Sequence, residues 1–416
     1  MAYTYEMNHA ESKNNSAFNC LLTTHTLNSI ISLFVTTFLI AHIYSFNGNT
    51  YDYLFNVAIF NIVYYVGYAF FYVPITKIVD KTNRVIMYKI GIIIKTLLVI
   101  SFIFFGESLA KLLVVAGLMN ALGDGFYYAS YNVLRQEMVS RKQSSSYASV
   151  FYILYKLVEV ICPVILGALI DKITYSYTAI IVLVVCIAQI IVSSFVKSKR
   201  PEGSHFNLKE YFQILKSRPD VNKKIGFMYL IGTIYGASYL ITALMNVCVM
   251  LEYGTNFSLG VITSIFSVGT ILVIILMSKF TKPGKRSWLF IICGILPILA
   301  SIAFVVDINQ VTIIILNGIV MLTAIVFKVL YDTHRNSTLK EVGLYNEIAE
   351  HHCIIEFIVG ISRGLFFAIT LGISLLRNIA AFKALIVATV VICAIVHLLI
   401  LIYEKKYFKQ KESTTN

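Results

Sequence analysis

The chain has 416 residues, 58% of them hydrophobic and only 13% charged, with a formal net charge of +13 and a mean hydropathy of +0.78. Soluble globular domains carry about 25% charged residues, so the composition excludes a soluble enzyme and describes an integral membrane protein. The basic excess could suit nucleic acid, but it is confined to short segments on one side of the apolar runs, where Lys and Arg set topology.

The first eighteen residues are polar, contain Glu6 and Glu11 and lack a basic leader. No cleavable signal is therefore expected, and the first apolar run should be retained as a helix. A spanning helix needs about 20 mostly apolar residues. Twelve stretches qualify, near 19–45, 53–79, 85–105, 110–136, 147–170, 175–196, 223–250, 257–280, 287–306, 309–333, 349–375 and 380–403. They are too long, and too uniformly apolar, for barrel strands.

One side of these runs holds Lys77, Lys81, Arg84, Arg141, Lys142, Lys279, Lys282, Lys285, Arg286 and the basic tail from Lys405; the other has only Lys111, Lys172, Arg377 and Lys383. The bias puts both termini in the cytoplasm of a multi-pass cell-membrane protein, which requires an even number of spans. The expected organisation is an N-terminal tail over 1–18, a first bundle over 19–196, a cytoplasmic loop over 197–222, a second bundle over 223–403 and a tail over 404–416. Between Pro201 and Pro219 the loop repeats Phe206, Leu208, Tyr211, Phe212 and Leu215 at helical spacing, which reads as a short amphipathic helix on the inner membrane surface.

A short loop occurs twice, half a chain length apart. Asp80-Lys81-Thr82-Asn83-Arg84 separates the second and third runs, and Thr281-Lys282-Pro283-Gly284-Lys285-Arg286 separates the eighth and ninth. Tyr131 and Arg135 recur at nearly the same offset as Tyr331 and Arg335. Doubled helical bundles are a recurring build for secondary transporters. The loop resembles the signature of the major facilitator superfamily, a Gly, three residues, then Asp-Arg/Lys-x-Gly-Arg/Lys-Arg/Lys. The first copy has Thr76, Asn83 and Val85 where that signature has Gly, Gly and a basic residue, and the second has Thr281 in place of Asp. The resemblance implies an all-α fold of twelve transmembrane helices in two pseudo-symmetric six-helix bundles around one central site. It also implies a cytoplasmic gate of Asp80, Lys81, Arg84, Glu137, Arg141, Lys282, Gly284, Lys285 and Arg286. The plainer reading of the same charges is orientation alone.

Charges inside the spans are more informative, since each costs at least ~2.5–3.5 kcal/mol at the bilayer centre unless it meets a cavity or a partner. Lys95, Asp124, Lys156, Glu159 and Arg363 fall near mid-span, with Glu356 about two turns from Arg363. Lys156 and Glu159 share one helix face, as do Glu356 and Arg363. Charge pairing, Lys95 with Asp124 and Lys156 with Glu159, is the structural alternative. The functional one makes Glu159 and Glu356 the leading proton carriers and Asp124 the third, with Lys156 and Arg363 as cavity cations, because a nearby cation that approaches or withdraws changes a buried carboxylate's hold on its proton.

Tyr64, Tyr68, Tyr127 and Tyr235 fall where an aromatic cavity wall would lie, and Asn28, Asn120, Asn246 and Asn317 sit one each in spans 1, 4, 7 and 10, which line the cavity in the family. These eight are the candidate substrate contacts; interfacial belts and hydrogen bonds between helices are the alternatives. His351, His352, Cys353 and Glu356 have a metal flavour, but adjacent His rings point to different faces, so no metal is expected. The seven Cys form no CxxC pair, and no GxxxxGK[ST] stretch offers a nucleotide site. No cofactor is expected.

The function read from these features is secondary active transport of a small organic solute by alternating access, coupled to protons and leaning to efflux of an amphiphilic compound. Uptake of a polar or anionic nutrient is the alternative, suggested by Lys156 and Arg363. A membrane-embedded enzyme is the rival class, disfavoured because no nucleophile–base motif is evident. The expected partners are the solute, membrane lipids and protons, with no nucleic acid, in a monomer.

Overall fold

The computed structural model describes residues 2–45, 49–106, 108, 112–138, 144–197, 206–280, 287–344 and 347–407, with side chains described except at 2–17, 136–138, 144–149, 152, 278–280, 336 and 340. Among these residues there is no strand. Apolar runs of this length become helices in a membrane because a helix satisfies its own backbone hydrogen bonds where water cannot.

In chain order, α1 (Ala2–Leu33) continues through a π-helical turn (Phe34–Phe38) into α2 (Leu39–Ser45). There follow α3 (Thr50–Lys81), α4 (Arg84–Phe105), α5 (Leu113–Met138), α6 (Ser144–Ile173) and α7 (Tyr175–Ser193). The second half contains α8 (Leu208–Ser217), α9 (Pro219–Tyr235), α10 (Ala237–Tyr253), α11 (Asn256–Phe280), α12 (Ser287–Val306), α13 (Gln310–Glu341), α14 (Ile348–Leu376) and α15 (Ile379–Tyr407). Asparagines start several of them. The Asn49 side chain accepts from the amides of Tyr51 and Asp52, and Asn83 from those of Val85 and Ile86, which satisfies first-turn donors that lack a helical partner.

Among the described residues, eleven segments are long and apolar enough to cross a membrane. α5 has the length but is too polar to count with them; it carries Asn120, Asp124 and Tyr127, which it turns inward, each at most 3% exposed. The chain is helical from Ala2, and its first membrane-length apolar segment begins at Phe18. Two later segments differ from the sequence expectation. The seventh run is two helices, α9 and α10, broken at Gly236, where a Cβ would collide with the Ser362 side chain of α14. The amphipathic segment of the central loop is α8, but helix resumes at Pro219, a residue whose fixed φ and missing N–H suit a first turn.

The two halves join through two helix pairs, α3 with α14 and α6 with α11, and also where α2 meets α10. The first pair approaches closely because Gly360 has no side chain; a Cβ there would lie 2.9 Å from the Ala69 Cβ and 3.0 Å from the Tyr65 carbonyl oxygen. In the second pair, a Cβ on Gly260 would run into the Pro163 carbonyl oxygen.

The two ends of the bundle are closed differently. At the end remote from α8, the Asp171 carboxylate of α6 accepts from the amides of Asn256 (3.1 Å) and Phe257 (2.8 Å) at the start of α11, and Arg377 meets Asp52 at 2.9 Å. At the α8 end, Phe206 and Leu208 pack into an apolar cluster with Tyr72, Val79 and Cys353, from α3 and α14.

Candidate substrate and coupling site

The deepest charges lie within the first half. Lys95 on α4 donates to the Asp124 carboxylate of α5 at 2.6 Å, to the Ser32 hydroxyl at 2.8 Å and to the Asn28 side-chain oxygen at 3.3 Å. The second oxygen of Asp124 accepts from the Tyr64 hydroxyl at 2.7 Å. All three ammonium donors are thus used. A buried ion pair repays its lost hydration only when such secondary bonds are made, and here they are. Asn28 and Tyr64 are therefore occupied in holding the pair. Tyr127 faces the interior of the same half, fully buried, with its hydroxyl 2.9 Å from His25 Nδ1 and 3.2 Å from the Tyr88 hydroxyl. Its place is a structural network rather than a cavity wall, because α5 presents that face to α4. Asn120 is 1% exposed and neither of its amide atoms has a partner among the described residues.

A second group of charges lies where the halves meet. The Lys156 ammonium and Glu159 carboxylate of α6 pair at 2.5 Å. Glu356, on α14, accepts from the Tyr68 hydroxyl of α3 at 3.3 Å, a contact across the junction of the halves. Arg363, seven residues further along α14, stacks on Tyr239 of α10 at 3.5 Å from the ring centre, with the Tyr65 ring at 5.1 Å. Lys328 of α13 lies 5.2 Å from the Tyr155 ring. These residues come from α3, α6, α10, α13 and α14, so both halves contribute.

Tyr235 belongs to an aromatic stack inside the second half, 4.5 Å from Phe327 and 6.0 Å from Tyr331, ring centre to ring centre. It lines a small apolar cavity with Ser238, Pro297, Thr323, Phe327 and His397. This cavity does not hold the charges just described, so its apolar walls alone do not mark it as the coupling site. Asn317 on α13 is buried and Asn246 on α10 half-buried, and neither makes a side-chain hydrogen bond to a described residue.

The charged loop residues have a partner that sequence spacing does not reveal. Asp80 pairs with Arg84 at 3.5 Å, and its other oxygen accepts from the Phe206 amide at 3.0 Å. The next amide, Asn207, donates to Glu350 of α14 at 2.8 Å. Two consecutive peptide groups ahead of α8 thus tie the end of α3 to the start of α14. The Tyr211 hydroxyl of α8 shares a 2.9 Å contact with the Tyr229 hydroxyl, and both reach His351 Nδ1, at 3.2 and 3.1 Å. Burial pushes the Tyr211 hydroxyl up to about 12, so it remains a protonated donor at neutral pH. Lys81 is exposed. The Glu137 side chain and Arg141, Lys282, Gly284, Lys285 and Arg286 lie outside the described residues. Among the described residues no three His, Cys, Asp or Glu side chains converge as a metal site would need.

Sequence reasoning missed Ser32, Glu350, Asp171 and Tyr239 as contributors. Tyr239 had a local signal, one helical turn beyond Tyr235. The others are ordinary polar residues that acquire meaning only through distant contacts.

The apolar helices and the charges held among them describe a polytopic membrane bundle with polar groups in its interior. A family model described as Major Facilitator Superfamily matches residues 17–331, and the chain belongs to that family. Over 279 residues it is 23% identical to the uncharacterized protein YqgE of Bacillus subtilis (strain 168), a match that takes in 66% of this chain and 63% of that protein's length. Its fold is similar to that of a bacterial homologue of the iron transporter ferroportin in an inward-facing state, at 14% identity and a TM-score of 0.68, with 95% of this chain and 99% of the other covered. It is likewise similar to the nucleoside transporter NupG, at 11% identity and a TM-score of 0.68, with 93% and 99% covered. Membership of that family makes the chain a transporter by kinship rather than an enzyme.

Proposed function

We propose that the protein is a secondary active transporter that exports an amphiphilic organic solute by alternating access, in exchange for protons, with Glu356 as the proton carrier. The observation that carries this reading is the state of the intramembrane carboxylates. Asp124 and Glu159 are each closed by a lysine, at 2.6 and 2.5 Å, whereas Glu356 has no ion pair among the described residues and touches the opposite half through Tyr68. A carboxylate at the seam between halves changes its surroundings when they rock, and a change of surroundings is what binds and releases a proton. Tyr64, Tyr65 and Tyr68 beside it give the seam an aromatic wall, which favours an amphiphile over a sugar-like solute. Both termini and α8 belong to the cytoplasmic side of the cell membrane, the bundles span 19–196 and 223–403, and the unit is a monomer.

Reconstitution in proteoliposomes tests the carrier. Glu356→Gln keeps the size and the hydrogen bond to Tyr68 but cannot titrate. It should lose accumulation driven by a pH gradient while still exchanging solute at equal pH. Gradient-driven accumulation at the wild-type level in that variant would remove Glu356 from the mechanism.

A further inference from the structure

We propose that the solute is an organic carboxylate, and that Arg363, stacked between Tyr239 and Tyr65, receives its carboxylate group; this deepens the transport reading above and rests on it. Arg363 stands where α14 faces α3 and α10, and the two rings meet edge to face at 6.0 Å. Its guanidinium makes no hydrogen bond or ion pair with any described residue, and its Nε is buried without a partner. Of the other cations of this region, Lys95 has Asp124, Lys156 has Glu159 and Lys328 lies over the Tyr155 ring. Glu356 is seven residues earlier on the same helix, about 10 Å along the axis, and is engaged by Tyr68.

Arg363 is half-buried, and of its guanidinium nitrogens only Nε is fully enclosed without a partner among the described residues, so ring faces meet the cation on one side while its terminal N–H groups stay accessible. A missing anion is the simplest completion. Contact with the Tyr239 ring, 3.5 Å from its centre, occupies one side of the guanidinium, and its terminal N–H groups make no hydrogen bond to a described residue. That planar fork matches the two oxygens of a carboxylate. A phosphate dianion is usually met by more than one cation, and here one is open. A neutral solute would leave the donors unmet. The rings of Tyr64 and Tyr68 then offer faces to the apolar body of the same molecule.

The test uses purified full-length protein and matched pairs of probes: benzoate, phenylacetate, hydrocinnamate and octanoate, each against its neutral amide. Carboxylates should raise the unfolding temperature in proportion to occupancy, and the amides should not. Arg363→Lys keeps the charge but loses the fork and should weaken the effective carboxylate about tenfold; Arg363→Met should abolish the effect. Equal stabilisation by carboxylate and amide, or no response to any carboxylate, would overturn the proposal. Flux of the effective probe in proteoliposomes separates the two readings. Carboxylate binding that depends on Arg363 but without flux would keep this site and sink the transport reading. Flux of a neutral amide that is indifferent to Arg363→Met would do the reverse.

Discussion

At the scale of single residues, the cluster around Lys95 shows how a charge is tolerated in the interior of a half. Lys95 is 0% and Asp124 3% exposed, and every ammonium donor is met. Removing one partner leaves the other buried and unpaired, which typically costs 3–5 kcal/mol, whereas replacing both with apolar groups is often nearly neutral. Asp124→Asn should therefore unfold at a markedly lower temperature in detergent, and Lys95→Met with Asp124→Leu should recover most of the loss. A double variant no better than Asp124→Asn alone would show that the pair is needed for more than mutual neutralisation. The pairing of Lys156 with Glu159 was legible in the sequence because i,i+3 residues share a helix face. The stacking of Arg363 on Tyr239 was not, since nothing in either helix reports which neighbour the other will face.

At the scale of elements, α8 is the least obvious, and the two residues ahead of it tie α3 to α14. Its amphipathic pattern was readable, as was its position between prolines, but its docking was not, because it depends on two backbone amides that every sequence supplies. The Phe206 amide reaches Asp80 and the Asn207 amide reaches Glu350. Phe206→Pro removes the first donor and leaves Asp80 and Arg84 in place. The variant should insert and fold, yet show faster hydrogen exchange over α8 and a population shifted toward a form open at that end. Unchanged exchange over α8 would mean that the Asn207–Glu350 bond and the apolar contacts of Leu208 hold it without Phe206.

At the scale of the whole molecule, hydropathy carried the helical spans, because runs of about 20 apolar residues leave few alternatives, and the doubled loop carried their arrangement in two halves. α5 is the informative exception. Its polarity lowers its hydropathy, and the reason is internal: its polar residues face α4 and α3 rather than lipid. Orientation depends on loop charge rather than on packing, so it is tested separately. Single cysteines at positions 48, 205 and 412, in a background lacking the native seven, should separate on treatment of intact cells with an impermeant thiol reagent. Position 48 should react and the other two should not, and reaction at 205 would invert the proposed topology. The two ends of the bundle also differ in kind: side chain to helix terminus at Asp171, linker backbone to side chain at Asp80 and Glu350.

The π-helical turn at Phe34–Phe38 carries a consequence for how this chain tolerates changes in length. Such a turn is one extra residue accommodated in a helix, and each residue turns a regular helix by about 100°. Below it, Asn28 and Ser32 face Lys95; above it, α2 packs against α10. Both contacts hold only while the extra residue is present. A relative that lacks one residue in this stretch must therefore have changed either its partner for Lys95 or its α2 surface, so a single-residue gap here in an alignment would mark a reorganised interior rather than a neutral deletion.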